Sequence, residues 1–311
     1  MDKPARILLL GVNARLGHAL LALRAKVATL EWVGCTRAEV DLLDRNAIAH
    51  ALEQYQPTWV INVGAYTQVA KAEELGDPYA SELAVNTLAP GILGEEAHRR
   101  GVNVLQISTD FVFNGRLGRA YHEEDEPAPE SVYGQSKYLG ERALLASGAK
   151  ATVVRVGWLH GAGEDFPSKI LTRAIAEPTS LAVVDIEWGV PSSYEAFALW
   201  LIQLLESSPR RALPQPILHY CETGPVIHRY ALAKVILERA LTHQSADDFV
   251  KERLIEALSS IRPLSMTSYR PSFCPLDTLY RAALPLTQAW VEGVNKTVDN
   301  FMDNLGSRRA K

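Results

Sequence analysis

The sequence predicts an α/β protein: a doubly wound, mostly parallel sheet with a smaller, discontinuous C-terminal substrate-binding region. Three observations predict it. Short apolar runs at Ala5 to Leu10, Leu30 to Gly34, Pro57 to Asn62, Val102 to Ile107 and Ala151 to Val156 read as buried strands. Helical patterns separate them, the alternation that builds parallel sheets. A glycine turn, Gly11-Val12-Asn13-Ala14-Arg15-Leu16-Gly17, joins the first run to a helical pattern through Leu20, Leu21 and Leu23.

Strand, glycine turn and helix in that order suit a pyrophosphate on a helix N-terminus, the Rossmann-type arrangement. Gly11 and Gly17 stand at the outer glycine positions. Ala14 occupies the middle one, where a backbone closely approaches phosphates, so a plain strand-to-helix turn is the alternative. After the second strand, an NAD site places a carboxylate against the ribose, and here the chain reads Cys35-Thr36-Arg37. Arg37 suits a 2′-phosphate and favours NADPH over NADH; a solvent-exposed arginine is the other reading. Asp44 is placed to cap the next helix. After the third strand, Gly64 and Ala65 are small enough for a backbone to approach a ligand. Asp77-Pro78 breaks the chain, and a long helical pattern then runs to about Arg100.

With 311 residues, the chain has room for one large or two modest domains. Residues 1–160 are expected to form the dinucleotide-binding domain. Residues 161–311 are expected to form the substrate region, with some segments returning to the first domain. A net charge of −4 argues against a dedicated nucleic-acid binder. The basic end, Arg308-Arg309-Ala310-Lys311, reads as a frayed terminus. No apolar run reaches membrane-spanning length. Cys35, Cys221 and Cys274 are scattered, fit a reducing compartment and lack metal-ligand spacing, so a cytoplasmic, metal-free protein is expected. The acidic run Glu123 to Glu126 reads as a solvated loop.

The stretch Ser131-Val132-Tyr133-Gly134-Gln135-Ser136-Lys137 concentrates the chemistry. On a helix capped by Ser131, Tyr133 and Lys137 share a face four positions apart. A cation beside a phenol favours the phenolate, which would let Tyr133 exchange a proton with a carbonyl or alcohol oxygen near neutral pH. Upstream, Ser108-Thr109-Asp110 closes the fourth strand at its C-terminal end, where open α/β sheets collect ligands. Thr109 there is placed to bond a substrate carbonyl or to cap the following turn.

Asn62 to Glu73 (NVGAYTQVAKAE), Ser108 to Gly115 (STDFVFNG) and Tyr133 to Glu141 (YGQSKYLGE) are similar to signature stretches of one enzyme family. Further likeness lies in Arg155 to Gly161, Asp185 to Pro191 and Tyr269-Arg270-Pro271 to Leu276-Asp277. In this order they resemble the dTDP-4-dehydrorhamnose reductases, extended short-chain dehydrogenase/reductases. The resemblance implies NADPH-dependent reduction of the C4 keto group of dTDP-4-dehydro-L-rhamnose to dTDP-L-rhamnose, with NADH as the second cofactor choice. It implies a catalytic set of Thr109, Tyr133 and Lys137: Tyr133 protonating the sugar oxygen, Lys137 lowering its pKa and holding the nicotinamide ribose, and Thr109 orienting the oxygen with Asp110. Trp158 lies against the sugar nucleotide in this reading, or in the core in the plainer one. The cofactor side it implies comprises Gly11, Ala14, Arg15, Leu16 and Gly17, then Arg37, Asp41 and Leu42, then Gly64, Ala65 and Tyr66, beside Tyr133 and Lys137. Ala14, Val63-Gly64, Ala70, Phe111, Gly157 and His160 depart from the family pattern. Two rivals stay open: a nucleotide-sugar epimerase or dehydratase, which uses the same scaffold, and an NADP-binding regulatory subunit like that of methionine adenosyltransferase, which the departures at Ala14 and Ala70 leave open.

In the second half, Leu181 to Val184 and Ile217 to Tyr220 read as strands. Tyr194 to Leu205, His228 to Leu241 and Asp247 to Leu258 read as helices. Leu286 to Leu305 reads as a final amphipathic helix through Trp290, Val294, Val298 and Phe301, closing the nucleotide domain or serving a homodimer contact. The expected partner is a nucleotide-sugar; no nucleic acid or membrane partner is expected.

Overall fold

Strand and helix alternate through the first half as β1 (Ala5–Leu10), α1 (Arg15–Leu23), β2 (Leu30–Cys35), α2 (Arg45–Tyr55), β3 (Trp59–Asn62), α3 (Val69–Leu75), α4 (Ala84–Thr87), α5 (Ala89–Arg100), β4 (Asn103–Thr109), α6 (Val132–Ala146) and β5 (Lys150–Val156). The second half adds β6 (Leu159–His160), α7 (Phe166–Ala176), β7 (Ala182–Val184), β8 (Trp188–Gly189), β9 (Ser192–Ser193), α8 (Tyr194–Ser207), β10 (Ile217–Tyr220), β11 (Ile227–His228), α9 (Arg229–Leu241), α10 (Asp248–Ser260), β12 (Arg262–Leu264) and α11 (Trp290–Arg309). This computed structural model describes residues 5–24, 29–266 and 270–309. Tyr269 of the signature stretches and the last two residues of the basic end lie outside the described residues.

Six strands form one sheet in the order β10-β5-β4-β3-β1-β2, and every neighbouring pair is parallel. Strands buried on both faces need apolar residues at every position. In β1, Ile7 and Leu9 enter the core shared with α1 and α8, while Leu8 and Leu10 enter the core shared with α2 and α5. Strand order reverses at β1, which lies between β2 and β3, and the crevice at such a reversal is where open α/β sheets bind ligands. A further core joins α7, α9, α10 and α11 through Leu171, Ile236, Leu254 and Val298. Among the described residues no helix is long and apolar enough to cross a membrane, and no cluster of His, Cys, Asp or Glu has the form of a metal site.

The five strand runs of the first half, the Asp44 cap and the Ser131 cap stand as read from the sequence. Four expectations need correction. The long helical run to Arg100 breaks at Leu88 into α4 and α5, because Pro90 at the start of α5 has no N–H to return to the Asn86 carbonyl. The last helix begins at Trp290, and Leu286 is exposed before it. Leu181 to Val184 shortens to β7, paired with β12 outside the main sheet. Glu123 is buried: it accepts from the His219 N–H at 3.0 Å, the Leu279 N–H at 3.0 Å and the Thr278 hydroxyl at 2.5 Å. The run Glu123 to Glu126 is therefore partly a tie between loop and sheet edge.

Candidate active site

At the strand-order reversal, the turns after β1 and β3 touch. Gly11 has φ of +89°, and a Cβ there would stand 2.8 Å from the Gly64 nitrogen, so both the conformation and the contact require glycine. Gly17 lies equally close to the Gly11 and Val12 carbonyls, which sets α1 tightly against β1. Ala14 is extended at the N-cap, offers no side-chain cap, and packs its methyl against the main core. The first turn of α1 carries no acid. Its N–H groups and positive dipole end thus present an anion cradle, and the residues fit a pyrophosphate. Leu42 packs at Gly64, and Asp41 accepts from the Leu43 N–H at 3.0 Å. Arg37 is exposed just beyond β2, with no side-chain hydrogen bond or ion pair among the described residues.

Thr109 ends β4 in the middle of the sheet, and α6 carries Tyr133 and Lys137 over the same edge. The start of α6 is fixed three ways. Ser131 Oγ accepts from the Gly134 N–H at 3.0 Å, and the Glu73 carboxylate accepts from the Val132 and Tyr133 N–H groups at 3.1 and 3.2 Å. A carboxylate there also suits the helix dipole. Gly134 lies directly against the Phe111 carbonyl and Gly140 against the Asn86 carbonyl that Pro90 leaves free, so no larger residue fits at either. Asn86, fully buried, exchanges hydrogen bonds with the Tyr66 backbone at 2.9 and 3.0 Å and donates to Ser136 at 3.1 Å, joining the turn after β3 to α6.

Tyr133 and Lys137 are both buried. The Tyr133 ring meets Phe111 edge-on at 5.5 Å, and the Thr109 side chain acts on its hydroxyl. Burial pushes the phenol above its ordinary value, and the Asp110 carboxylate adds to this; Thr109 and Arg270 pull the other way more weakly. Lys137 Nζ donates to the Ile107 carbonyl at 2.9 Å, and burial lowers its pKa to about 8 against the opposing pull of Glu141. Burial therefore outweighs the groups that pull the Tyr133 phenol down. The lysine gives one hydrogen to the strand end, and the phenol stays protonated through neutral pH.

Asp110 is buried beside them. Burial raises its carboxyl to about 6, opposed by the Thr109 hydrogen bond and by Arg229 and Arg270. Trp158, at φ +46°, lies under the Arg229 guanidinium at 3.6 Å, and Glu187 pairs with Arg229 and Arg270 at 3.6 and 3.9 Å. His160 shares a hydrogen with Thr297 at 3.0 Å and Ala70 is exposed, so these two departures lie in a buried tie and on the surface respectively.

The structure thus brings Thr109, Asp110, Tyr133 and Lys137 together at the edge of β4, with Gly11, Ala14, Arg15, Leu16, Gly17, Gly64, Ala65 and Tyr66 on the turns beside it. Sequence reading missed Glu73, Asn86 and Tyr194. Tyr194 opens α8, lies in the field of Arg15 of the glycine turn and adds to the field on Tyr133, linking the cradle to the phenol.

The model of the RmlD substrate binding domain family matches residues 5–302. The chain belongs to the RmlD family. A dTDP-4-dehydrorhamnose reductase of Mycobacterium tuberculosis is 31% identical over 85% of this chain and 83% of its own length. One from Aggregatibacter actinomycetemcomitans is 31% identical over 88% of this chain and 90% of its own. In fold, the chain is similar to the Bacillus anthracis dTDP-4-dehydrorhamnose reductase solved in complex with NADP, with a TM-score of 0.79, 22% identity, and 98% and 99% of the two chains covered.

In this RmlD-family chain the helix that carries Tyr133 and Lys137 is held by a buried ion pair. Arg155 of β5 donates to Glu141 of α6 through Nη2 at 2.7 Å and Nε at 3.1 Å, and Ser108 donates to the same carboxylate. Removing one partner of a buried pair strands the other charge. Glu141→Gln should cost about 3–5 kcal/mol of unfolding free energy in urea titration, and Glu141→Leu with Arg155→Met should recover much of it. A loss under about 1 kcal/mol for the single variant would show that the pair does not hold the helix.

Proposed function

We propose that the protein reduces the C4 keto group of dTDP-4-dehydro-L-rhamnose with NADPH, giving dTDP-L-rhamnose. The observation that carries this reading is the buried Tyr133–Thr109 pair at the sheet's ligand-binding edge, beside an uncapped glycine cradle, in a chain of the RmlD family. Gly11, Ala14, Arg15, Leu16 and Gly17 would hold the pyrophosphate, and Arg37 the 2′-phosphate. Gly64, Ala65, Tyr66, Asp41 and Leu42 would line the remainder of that side. Bound there, NADPH supplies the hydride.

Tyr133 is the acid. A phenol kept protonated by burial has its proton ready for the oxygen that becomes the alcohol. Lys137 gives one hydrogen to Ile107 and keeps two donors for ribose hydroxyls. Trp158, with Arg229 over its ring, would lie against the sugar nucleotide, and residues 161–311 would supply most of that side. A regulatory subunit has no need of a buried Thr109, Tyr133 and Lys137 converging on one edge, so catalysis is the better reading.

Purified protein should oxidise NADPH in the presence of dTDP-4-dehydro-L-rhamnose. Tyr133→Phe should lower kcat by about 10²–10⁴-fold. No turnover with either nicotinamide cofactor would remove the reductase reading in favour of the regulatory one. For Arg37, the measurement is the ratio of kcat/KM with NADPH to that with NADH. Arg37→Ala should reduce it by about tenfold, the loss of roughly one charged contact; an unchanged ratio would refute its assignment to the 2′-phosphate.

A further inference from the structure

Asn62 and Gln106 stand opposite each other at the last pair of β3 with β4, and two residues earlier in each strand stand Val60 and Val104. The valines enter an apolar core, so the two amides continue an apolar row, at 0% and 2% exposure. Amides buried in such a row are costly unless hydrogen-bonded. These are bonded, and in one direction. The Gly64 N–H donates to Asn62 Oδ1 at 3.0 Å, Asn62 Nδ2 donates to Gln106 Oε1 at 2.8 Å, and Gln106 Nε2 donates to the Ile107 carbonyl at 3.0 Å. The backbone at the two ends fixes which way each amide faces, because an N–H can only give a hydrogen and a carbonyl can only accept one.

The far end of this chain is the lysine's own anchor. Lys137 Nζ donates to the same Ile107 carbonyl at 2.9 Å, and Lys137 is itself buried. A carbonyl oxygen has two lone pairs, so Gln106 on one of them directs the ammonium to the other. The near end is the turn after β3, where Gly64 touches Gly11 of the first glycine turn. Four hydrogen bonds thus join the close contact at the cradle to the ammonium beside β4, by way of two buried side chains. Bonds aligned head to tail in this way polarise one another.

We propose that Gln106 is a positioning residue for Lys137, aiming the ammonium through the Ile107 carbonyl, with Asn62 tying Gln106 to the Gly64 turn. The proposal rests on the reading in which Lys137 holds the nicotinamide ribose and adds the part that aims it. Without the Gln106 hydrogen, both lone pairs of the Ile107 oxygen are open to the ammonium. The two hydrogens that Lys137 keeps for the ribose then lose their fixed direction. A simple tie between β3 and β4 would support the sheet equally well and leave Lys137 indifferent to Gln106.

The test is a double-mutant cycle on NADPH binding, by fluorescence titration of the full-length protein. Gln106→Met keeps the side-chain length and removes both of its hydrogen bonds. It should raise the Kd for NADPH by about tenfold in the wild-type background and by less than about twofold beside Lys137→Met. An equal rise in both backgrounds shows a tie that supports the sheet alone and overturns the proposal, as does an unchanged Kd in the single variant. A second measurement needs neither the cofactor nor a change at Gln106. The ¹H–¹⁵N signals of the Gln106 side-chain amide should move in Lys137→Met, because the two donors share one carbonyl oxygen. Signals that stay in place overturn the proposal even in a protein that binds NADPH. Signals that move in a protein without affinity for NADPH support the Gln106–Lys137 coupling and sink the cofactor reading alone.

Discussion

The pairing of Glu141 with Arg155 is the constraint on which the site depends. Tyr133 and Lys137 ride on α6, whereas Thr109 and Asp110 belong to β4 and the turn after it. Nothing local in the sequence fixes the distance between a helix and a strand. The pair fixes it by tying α6 to β5, with Ser108 adding a bond from β4 one residue before Thr109. Both side chains are almost fully buried, at 1% and 2% exposure, so neither can turn to solvent if the partner moves. The network extends through His219 of β10, which lies 3.5 Å from Arg155, to the Tyr121 and Asp277 backbone carbonyls at 3.0 Å.

On that frame the chemistry follows from burial more than from neighbouring charge. A phenol in water gives up its proton near pH 10, and the same phenol among Phe111, Ala72 and Leu83 holds it more tightly. A reductase needs a proton at that oxygen, and the raised phenol holds one through neutral pH. Burial acts on Lys137 in the opposite sense and on Asp110 in the same sense as on Tyr133. Three ionisable groups within one edge of the sheet are thus all displaced toward neutrality, and perturbed groups of this kind gather at functional sites.

Much of this was legible in the chain. Strands buried on both faces announce themselves as unbroken apolar runs, and the glycines of the first turn mark a close approach that only a missing side chain permits. Thr109, Tyr133 and Lys137 could be found because each sits at a position that strand end or helix spacing makes special. The ties could not. Glu73 capping a helix some sixty residues away, Asn86 bridging to Tyr66 and Ser136, and Tyr194 reaching Arg15 are pairings at long range, and each residue looks ordinary in its own segment. Glu123 misled for the same reason: its acidic neighbours suggested solvent, while its donors come from β10 and from beyond residue 277. Two-residue strands such as β6 and β9 carry too little pattern to read. Sequence spacing gives the proximity of Lys137 to Tyr133 and not the direction of its ammonium, which turns to Ile107.

The most direct measurement of the central claim follows the transferred atom. Incubation with NADPH carrying deuterium at C4 of the nicotinamide, on the side that is transferred, should give dTDP-L-rhamnose with deuterium at sugar C4 by NMR and at no other carbon. Recovery of the sugar without deuterium at C4, or with the label at another carbon, would contradict the account.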